Sequence, residues 1–247
     1  MKEEFEKYGI PLSAIQEKQL SIYYELLYQW NQKINLTAIT EYDKVVRKHF
    51  IDSALLVKSP IYNSNEESNR VLDLGTGAGF PGMVLAILCP EDDFVLVDSL
   101  NKRIDFLNIV IKELGLKNVQ AIHGRAEDYG QKNDFRNCFD FVVSRAVAEL
   151  PLLLEYCVPF VKVNGYFVSY KGPKYEEEII HASNALHELN TVVETVEEYD
   201  VSRETSVPDS NKLGEEIEKR YLVFLKNTAL TNLKYPRRAG KPKKKPL

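Results

Sequence analysis

Apolar positions follow two different periods along the chain. Through about residue 60 they recur every three or four residues, at Ile15, Ile22, Leu26, Trp30 and Ile34, with Tyr23 and Leu27 widening the stripe. That is the spacing of one helix face. Ser13 and Gln16 form a capping box at its start, and Asn35-Leu36-Thr37 breaks it. Thr40 and Asp43 repeat the start signal before a second apolar pattern through Val46, Phe50 and Leu55, which stops at Pro60. Residues 61–69 are polar and loop-like. After them short apolar runs alternate with amphipathic segments, predicting strands at 71–74, 94–98, 119–123, 139–144 and 166–170 and helices near 81–89, 101–114, 149–161 and 175–189. Two more strand-like runs, 192–199 and 221–226, have only a polar stretch, 200–218, between them, which reads as a long hairpin loop. The expected fold is therefore α/β and Rossmann-like: a mostly parallel seven-stranded sheet ending in an antiparallel hairpin, with an N-terminal helical extension. The divisions fall at 1–65, 66–230 and 231–247.

Composition narrows this little: 44% apolar and 11% aromatic residues in a 247-residue chain exclude global disorder. The longest apolar run is the seven residues from Met83 to Cys89, and the first residues lack an apolar core like that of a signal peptide. The expected location is cytoplasmic, without a membrane span. Cys89, Cys138 and Cys157 show no CxxC spacing, so free thiols are expected rather than a disulfide framework or zinc site. Charge changes the picture more. Residues 234–247 hold seven Lys/Arg and no acid, so the net −4 divides into a body near −11 and a tail of +7. Punctuated by Pro236, Gly240, Pro242 and Pro246, the tail is expected to be an extended arm along a polyanion, with Arg237 and Arg238 among its contacts.

Candidate chemistry begins at 71–82, where a strand leads directly into Gly75-Thr76-Gly77-Ala78-Gly79-Phe80-Pro81-Gly82 and then a helix. Glycines let backbone approach a ligand at the carboxyl edge of such a sheet. The next strand ends in Asp98, an acid placed to accept the hydroxyl protons of a ribose. Two cofactor classes fit. Gly77-x-Gly79-x-x-Gly82 matches the dinucleotide fingerprint, but the glycines start at Gly75 and Asp73 lies inside the strand. An acid there suits a cationic ligand, so the loop favours S-adenosylmethionine, with its ammonium and sulfonium, over a pyrophosphate. Ala126 and Glu127 follow the third strand and Arg145 ends the fourth, so all three reach the same edge. His49 stands one helical turn before Asp52 and beside Lys48, the best placed of four histidines to matter; His181 and His187 read as surface residues. Lys102, Arg103, Arg125 and Lys171 are candidates for a phosphate-binding surface. Trp30 reads as core between the extension and the sheet.

These residues resemble the small-subunit ribosomal RNA methyltransferase G family (RsmG, formerly glucose-inhibited division protein B). The matching stretches are Asn35-Leu36-Thr37, Lys48-His49-Phe50-Ile51-Asp52-Ser53, Asp73 to Gly82, Asp98-Ser99-x-x-Lys102-Arg103, Arg125-Ala126-Glu127, Ser144-Arg145-Ala146 and Lys171-Gly172. The tail from Tyr235 to Pro242 is similar to that of the family's Gram-positive branch. The resemblance implies a class I methyltransferase fold, S-adenosylmethionine as donor, and methylation of N7 of one guanine in 16S rRNA near the decoding region. The implied donor contacts are Gly75, Phe80, Ala126, Glu127 and Arg145, with Asp98 at the ribose and Asp73, Gly77 and Gly79 in the loop. His49, Lys102, Arg103, Lys171, Arg237 and Arg238 are the candidate RNA contacts. Guanine N7 carries a lone pair and no proton, so no catalytic acid or base is assigned and no metal is expected. The expected partner is 16S rRNA or a small-subunit ribosomal particle, the enzyme acting as a monomer. A methyltransferase for small molecules or proteins, a dinucleotide oxidoreductase and a noncatalytic RNA-binding factor are the alternatives. The basic tail argues against the first, and the Asp73 to Gly82 loop with Asp98 against the last.

Overall fold

The computed structural model describes residues 1–64, 67–201 and 218–247. Nearly all of the stretch expected to be the polar hairpin loop, 202–217, lies outside the described residues. A seven-stranded sheet has the order β3-β2-β1-β4-β5-β7-β6, its strands being β1 Arg70–Leu74, β2 Asp93–Asp98, β3 Val119–His123, β4 Phe139–Arg145, β5 Val161–Lys171, β6 Thr191–Asp200 and β7 Lys219–Asn227. The first five pair in parallel, and β7 runs antiparallel to both β5 and β6. β1 and β2 are buried almost without interruption, as strands covered on both faces must be. Chain direction along the sheet reverses between β1 and β4, which opens a crevice at their carboxyl ends.

Two apolar layers cover the sheet. On one face, α5 (Gly82–Leu88) and α6 (Asn101–Leu114) pack together with the N-terminal helices α1 (Lys2–Lys7) and α2 (Ala14–Asn31). Phe5, Leu20, Tyr23, Leu27 and Phe50 share one core there with Val84, Phe94 and Phe106. The capping box at Ser13 forms, and Gln16 Nε2 also donates to the carbonyls of Ile87 and Leu88, fastening α2 to the end of α5. The buried face of α2 centres on Tyr23 and Leu27, the widening positions of the expected stripe, together with Leu20; Ile22, Leu26, Trp30 and Ile34 are half-buried beside it, and Ile15 is 71% exposed. The start signal at Thr40 and Asp43 makes no cap; Glu41 precedes the first turn of α3 (Tyr42–Val45) without a side-chain bond. Helical backbone continues through Val46–Ile51 in a π-type turn and through α4 (Asp52–Ala54).

The other face carries α7 (Ala126–Tyr129), α8 (Leu150–Cys157), α9 (Tyr175–His181) and α10 (Ser183–Glu188); the last two replace one expected helix, which breaks at Ala182. The C-terminal segment joins this layer, so the expectation of an extended arm is corrected. Tyr235 is buried, Leu247 packs on the same core, and Lys241–Lys244 form a short helix, α11, with Pro242 in its first turn. Proline's fixed φ is compatible with that position, which is why the proline-rich sequence still forms a turn of helix. The anchor is Glu155 in α8, fully buried, whose carboxylate takes the Arg237 guanidinium and backbone amide. Arg136 completes the dock by donating to the carbonyls of Gly130, Thr231, Asn232 and Tyr235. Among the described residues no helix is long and apolar enough to cross a membrane. The three cysteines are free.

Candidate active site

The glycine loop leaves β1 at the crevice and returns into α5. Asp73 is fully buried; its Oδ2 accepts from Thr76 Oγ1 at 2.7 Å and from the Gly82 amide at 2.8 Å, while its Oδ1 has no partner. Burial outweighs those two hydrogen bonds and pushes the carboxyl up to about 6. Gly77, at φ +62°, donates its amide to Asp98 Oδ2 at 2.9 Å, and a Cβ there would meet nothing within 4 Å. The space beside Gly77 is open, as close approach of a ligand to backbone requires. Gly79 differs. At φ +105° its missing Cβ would lie 2.5 Å from Tyr23 Oη and 2.9 Å from Met83 Cβ, so this glycine serves the docking of α2 rather than access for a ligand. Tyr23 Oη donates to the Ala78 carbonyl at 2.5 Å, tying the extension to the loop itself.

Asp98 closes the other side. Its carboxylate, 3% exposed, accepts from the amides of Gly77 and Leu100 and from Arg103 Nη1 at 3.1 Å. Arg103 is thus engaged with Asp98 and is not a free phosphate contact; Lys102 beside it is exposed. A carboxylate has about four acceptor positions, so Asp98 retains one here and gains another if Arg103 moves. Ala126 and Glu127 open α7 at the same edge, where burial and the nearby Glu127 carboxylate push the Tyr156 hydroxyl of α8 up. His123 is exposed and meets the Ser99 carbonyl.

The third wall comes from the extension. His49 stacks on Phe80 with centroids 4.7 Å apart, and the Arg145 guanidinium lies over the same ring at 5.1 Å. Phe80 is 6% exposed and also faces Tyr23 and Phe50, so little more than its backbone is open to a ligand. His49 Nδ1 meets the Lys48 carbonyl at 3.1 Å and therefore carries the proton; Nε2 accepts from Thr37 Oγ1 at 2.7 Å. Both ring nitrogens are spent within the protein. Burial and the nearby Arg145 hold this imidazole down at about 4, so it is neutral at pH 7. With that value and both nitrogens engaged it is a weak base. Asp52, one turn on, receives Arg145 at 2.5 Å. Trp30, expected in the core against the sheet, is only partly buried and packs at the edge of the core against Phe106 of α6.

Two other expected RNA contacts are engaged within the protein. Lys171 Nζ, 8% exposed at its side chain, pairs with Glu178 at 2.6 Å and donates to the Ala148 carbonyl, bracing the turn after β4. Arg237 is held by Glu155, while Arg238 is exposed. Sequence reasoning missed the pairing role of Arg220, which stands in β7 without any motif, and the buried acid Glu155, which sits within an apolar helical pattern that marked only core. The residues that remain fit a cationic, ribose-bearing ligand: a buried carboxylate with an unpartnered oxygen at Asp73, a backbone cradle at Gly77 and an acid at Asp98. Among the described residues no cluster of side chains suits a metal ion.

Comparison with known proteins identifies relatives of the whole chain. Residues 16–206 match the family model described as GidB, rRNA small subunit methyltransferase G. A protein of Lachnoclostridium phytofermentans named ribosomal RNA small subunit methyltransferase G is 47% identical over 239 residues, spanning 97% of this chain and 93% of its own. Its namesake in Desulfitobacterium hafniense is 44% identical, over 98% of this chain and 94% of its own. Among solved structures, M. jannaschii TYW2 in complex with AdoMet aligns with TM-score 0.54 at 14% identity, covering 77% of this chain and 79% of that one. A SAM-dependent O-methyltransferase of Thermotoga maritima gives 0.51 at 14% identity, over 80% and 70%. At such identity these two speak for the fold alone.

Proposed function

The chain belongs to the GidB family, rRNA small subunit methyltransferase G, and on that premise we propose that it transfers the methyl group of S-adenosylmethionine to N7 of one guanine in 16S rRNA. The observation that carries the reading is the Asp73, Gly77 and Asp98 constellation at the strand switch point, with Asp73 Oδ1 buried and unpartnered. Asp73 suits the donor's ammonium, Gly77 leaves room for its body, and Asp98 suits its ribose. Ala126 and Glu127 border the adenine end and Arg145 the end where the acceptor arrives. The donor supplies an electrophilic methyl on a positively charged sulfur.

Guanine N7 attacks with an in-plane lone pair, so no proton leaves the base and the positive charge passes from sulfur to the purine. The reaction needs no base, and the His49 imidazole, neutral with both nitrogens engaged, is not called on as one. Its rate advantage then comes from holding the two reactants in line, an effect of roughly 7–11 kcal/mol in well-oriented cases. The enzyme acts in the cytoplasm as a monomer, on 16S rRNA or a small-subunit particle. Purified protein with labelled donor and particles lacking the mark should place label in 16S rRNA as 7-methylguanosine. Label confined to protein or small metabolites, or binding of NAD in place of the donor, overturns this reading.

A further inference from the structure

We propose that Asp52 and Arg220 are positioning residues for Arg145, fixing its guanidinium over Phe80 through an ionic bridge that joins the N-terminal extension, β4 and β7. The proposal rests on the functional reading that puts Arg145 at the donor edge. Asp52, 4% exposed at its side chain, lies between two guanidinium groups: Arg145 Nη1 is 2.5 Å from Oδ2 and Arg220 Nε is 2.9 Å from Oδ1. The three residues come from α4, β4 and β7, far apart in the chain. Arg145 Nη1 also approaches the carbonyls of Lys48 and His49 at 3.4 Å, so this edge of its guanidinium is wholly engaged with the π-type turn and α4.

The bridge extends outward. Arg220 Nη2 meets Glu218 Oε1 at 2.6 Å, and Lys48 Nζ meets the same oxygen at 3.1 Å. Lys48, Glu218, Arg220, Asp52 and Arg145 thereby form a circuit that returns to the backbone of the π-type turn. Oδ2 accepts the hydrogen bond from Arg145, while Oδ1 makes no hydrogen bond and faces the Arg220 guanidinium as a charge; a second positive charge beside Oδ1 favours the carboxylate orientation that presents Oδ2 to Arg145. Docking of the extension does not need this arrangement, because Tyr23, Phe50 and Leu27 already secure it through apolar contact, and a buried ion pair is weak evidence for stability as such. What the bridge does determine is where the Arg145 guanidinium sits relative to Phe80 and the glycine loop. The sequence pattern containing Asp52 thus acquires a role distinct from that of His49.

The test is a double-mutant cycle read by calorimetry with S-adenosylmethionine and its demethylated product, using full-length D52N, R145M, D52N/R145M, R220M and R220K. D52N should weaken donor binding by about tenfold or more, the size of one hydrogen bond to a charged group. R220M should act in the same direction with a smaller change, and R220K should recover part of it. The double variant should bind no more weakly than R145M alone, because Asp52 acts only through Arg145. If D52N and R220M lower the melting temperature yet bind donor with wild-type affinity, or if the D52N and R145M effects add, the bridge is structural only and the proposal fails. Should D52N not fold, the comparison of R220M with R220K decides on the same criterion. Failure of the wild-type protein to bind donor would instead overturn the functional reading.

Discussion

Asp73 sets the local electrostatics of the site. Its carboxyl loses more from burial than it regains from Thr76 and Gly82, so in the free protein it is held up at about 6. On the proposed reading the donor's ammonium favours the ionised form. Donor affinity should therefore be level above pH 6 and fall about tenfold per unit below it, since each unit is a further tenfold depletion of the binding-competent carboxylate. The sign follows from linkage: the free protein must give up a proton from Asp73 to bind, so acid opposes binding. Calorimetry of donor binding from about pH 4.5 to about pH 8, which brackets the raised value of about 6, checks this. D73N should bind more weakly at pH 7 and show no such slope. A wild-type affinity that is flat through pH 5 would show that Asp73 does not face the donor's charge.

The glycine turn shows what sequence can and cannot say about an element. The strand, the glycines and the helix after them are legible because each has a local signature: an apolar run, residues free of Cβ, and a helical period. The division of labour among the glycines is not, because it depends on what packs from 50 residues away. Tyr23 of α2 fills the space beside Gly79, and Gly77 faces outward. The same limit explains why the buried face of α2 centres on one edge of the expected stripe and why Lys171, Arg103 and Arg237, legible as cations, could not be recognised as partners of Glu178, Asp98 and Glu155. Gly79→Ala should cost about 1–3 kcal/mol of stability by overpacking against Tyr23, Leu107 and Met83, and more again from its positive-φ backbone, with the folded fraction still binding donor. Gly77→Ala should do the reverse, losing roughly 1–2 kcal/mol at most from its left-handed backbone while weakening donor binding through the methyl in the cradle. Thermal melts beside donor titrations of the two variants separate these roles; matching profiles would mean that the two glycines serve one purpose.

At the scale of the molecule, charge is segregated. A body near −11 would repel RNA at long range, and the seven cations of residues 234–247 oppose it. Because Arg237 and Tyr235 are docked on α8 and α10, the segment presents its remaining cations as a fixed surface: Lys234, Arg238, Lys241, Lys243, Lys244 and Lys245 are all exposed. A surface already ordered loses less entropy on binding than a free arm does. The docking also changes how its role must be tested. Deleting residues 234–247 would leave Glu155 buried and unpaired, a penalty of about 3–5 kcal/mol, and any drop in RNA affinity would then mix unfolding with the removal of cations. Replacing the six exposed cations by glutamine while keeping Arg237 avoids this. RNA binding by that variant should be weaker at low salt, and its log-affinity against log-salt slope should flatten by about 0.7 for each phosphate of single-stranded RNA that is no longer neutralised. Donor affinity and melting temperature should stay near wild type. An unchanged salt slope would show that the docked segment meets no phosphates and that RNA is held elsewhere on the molecule.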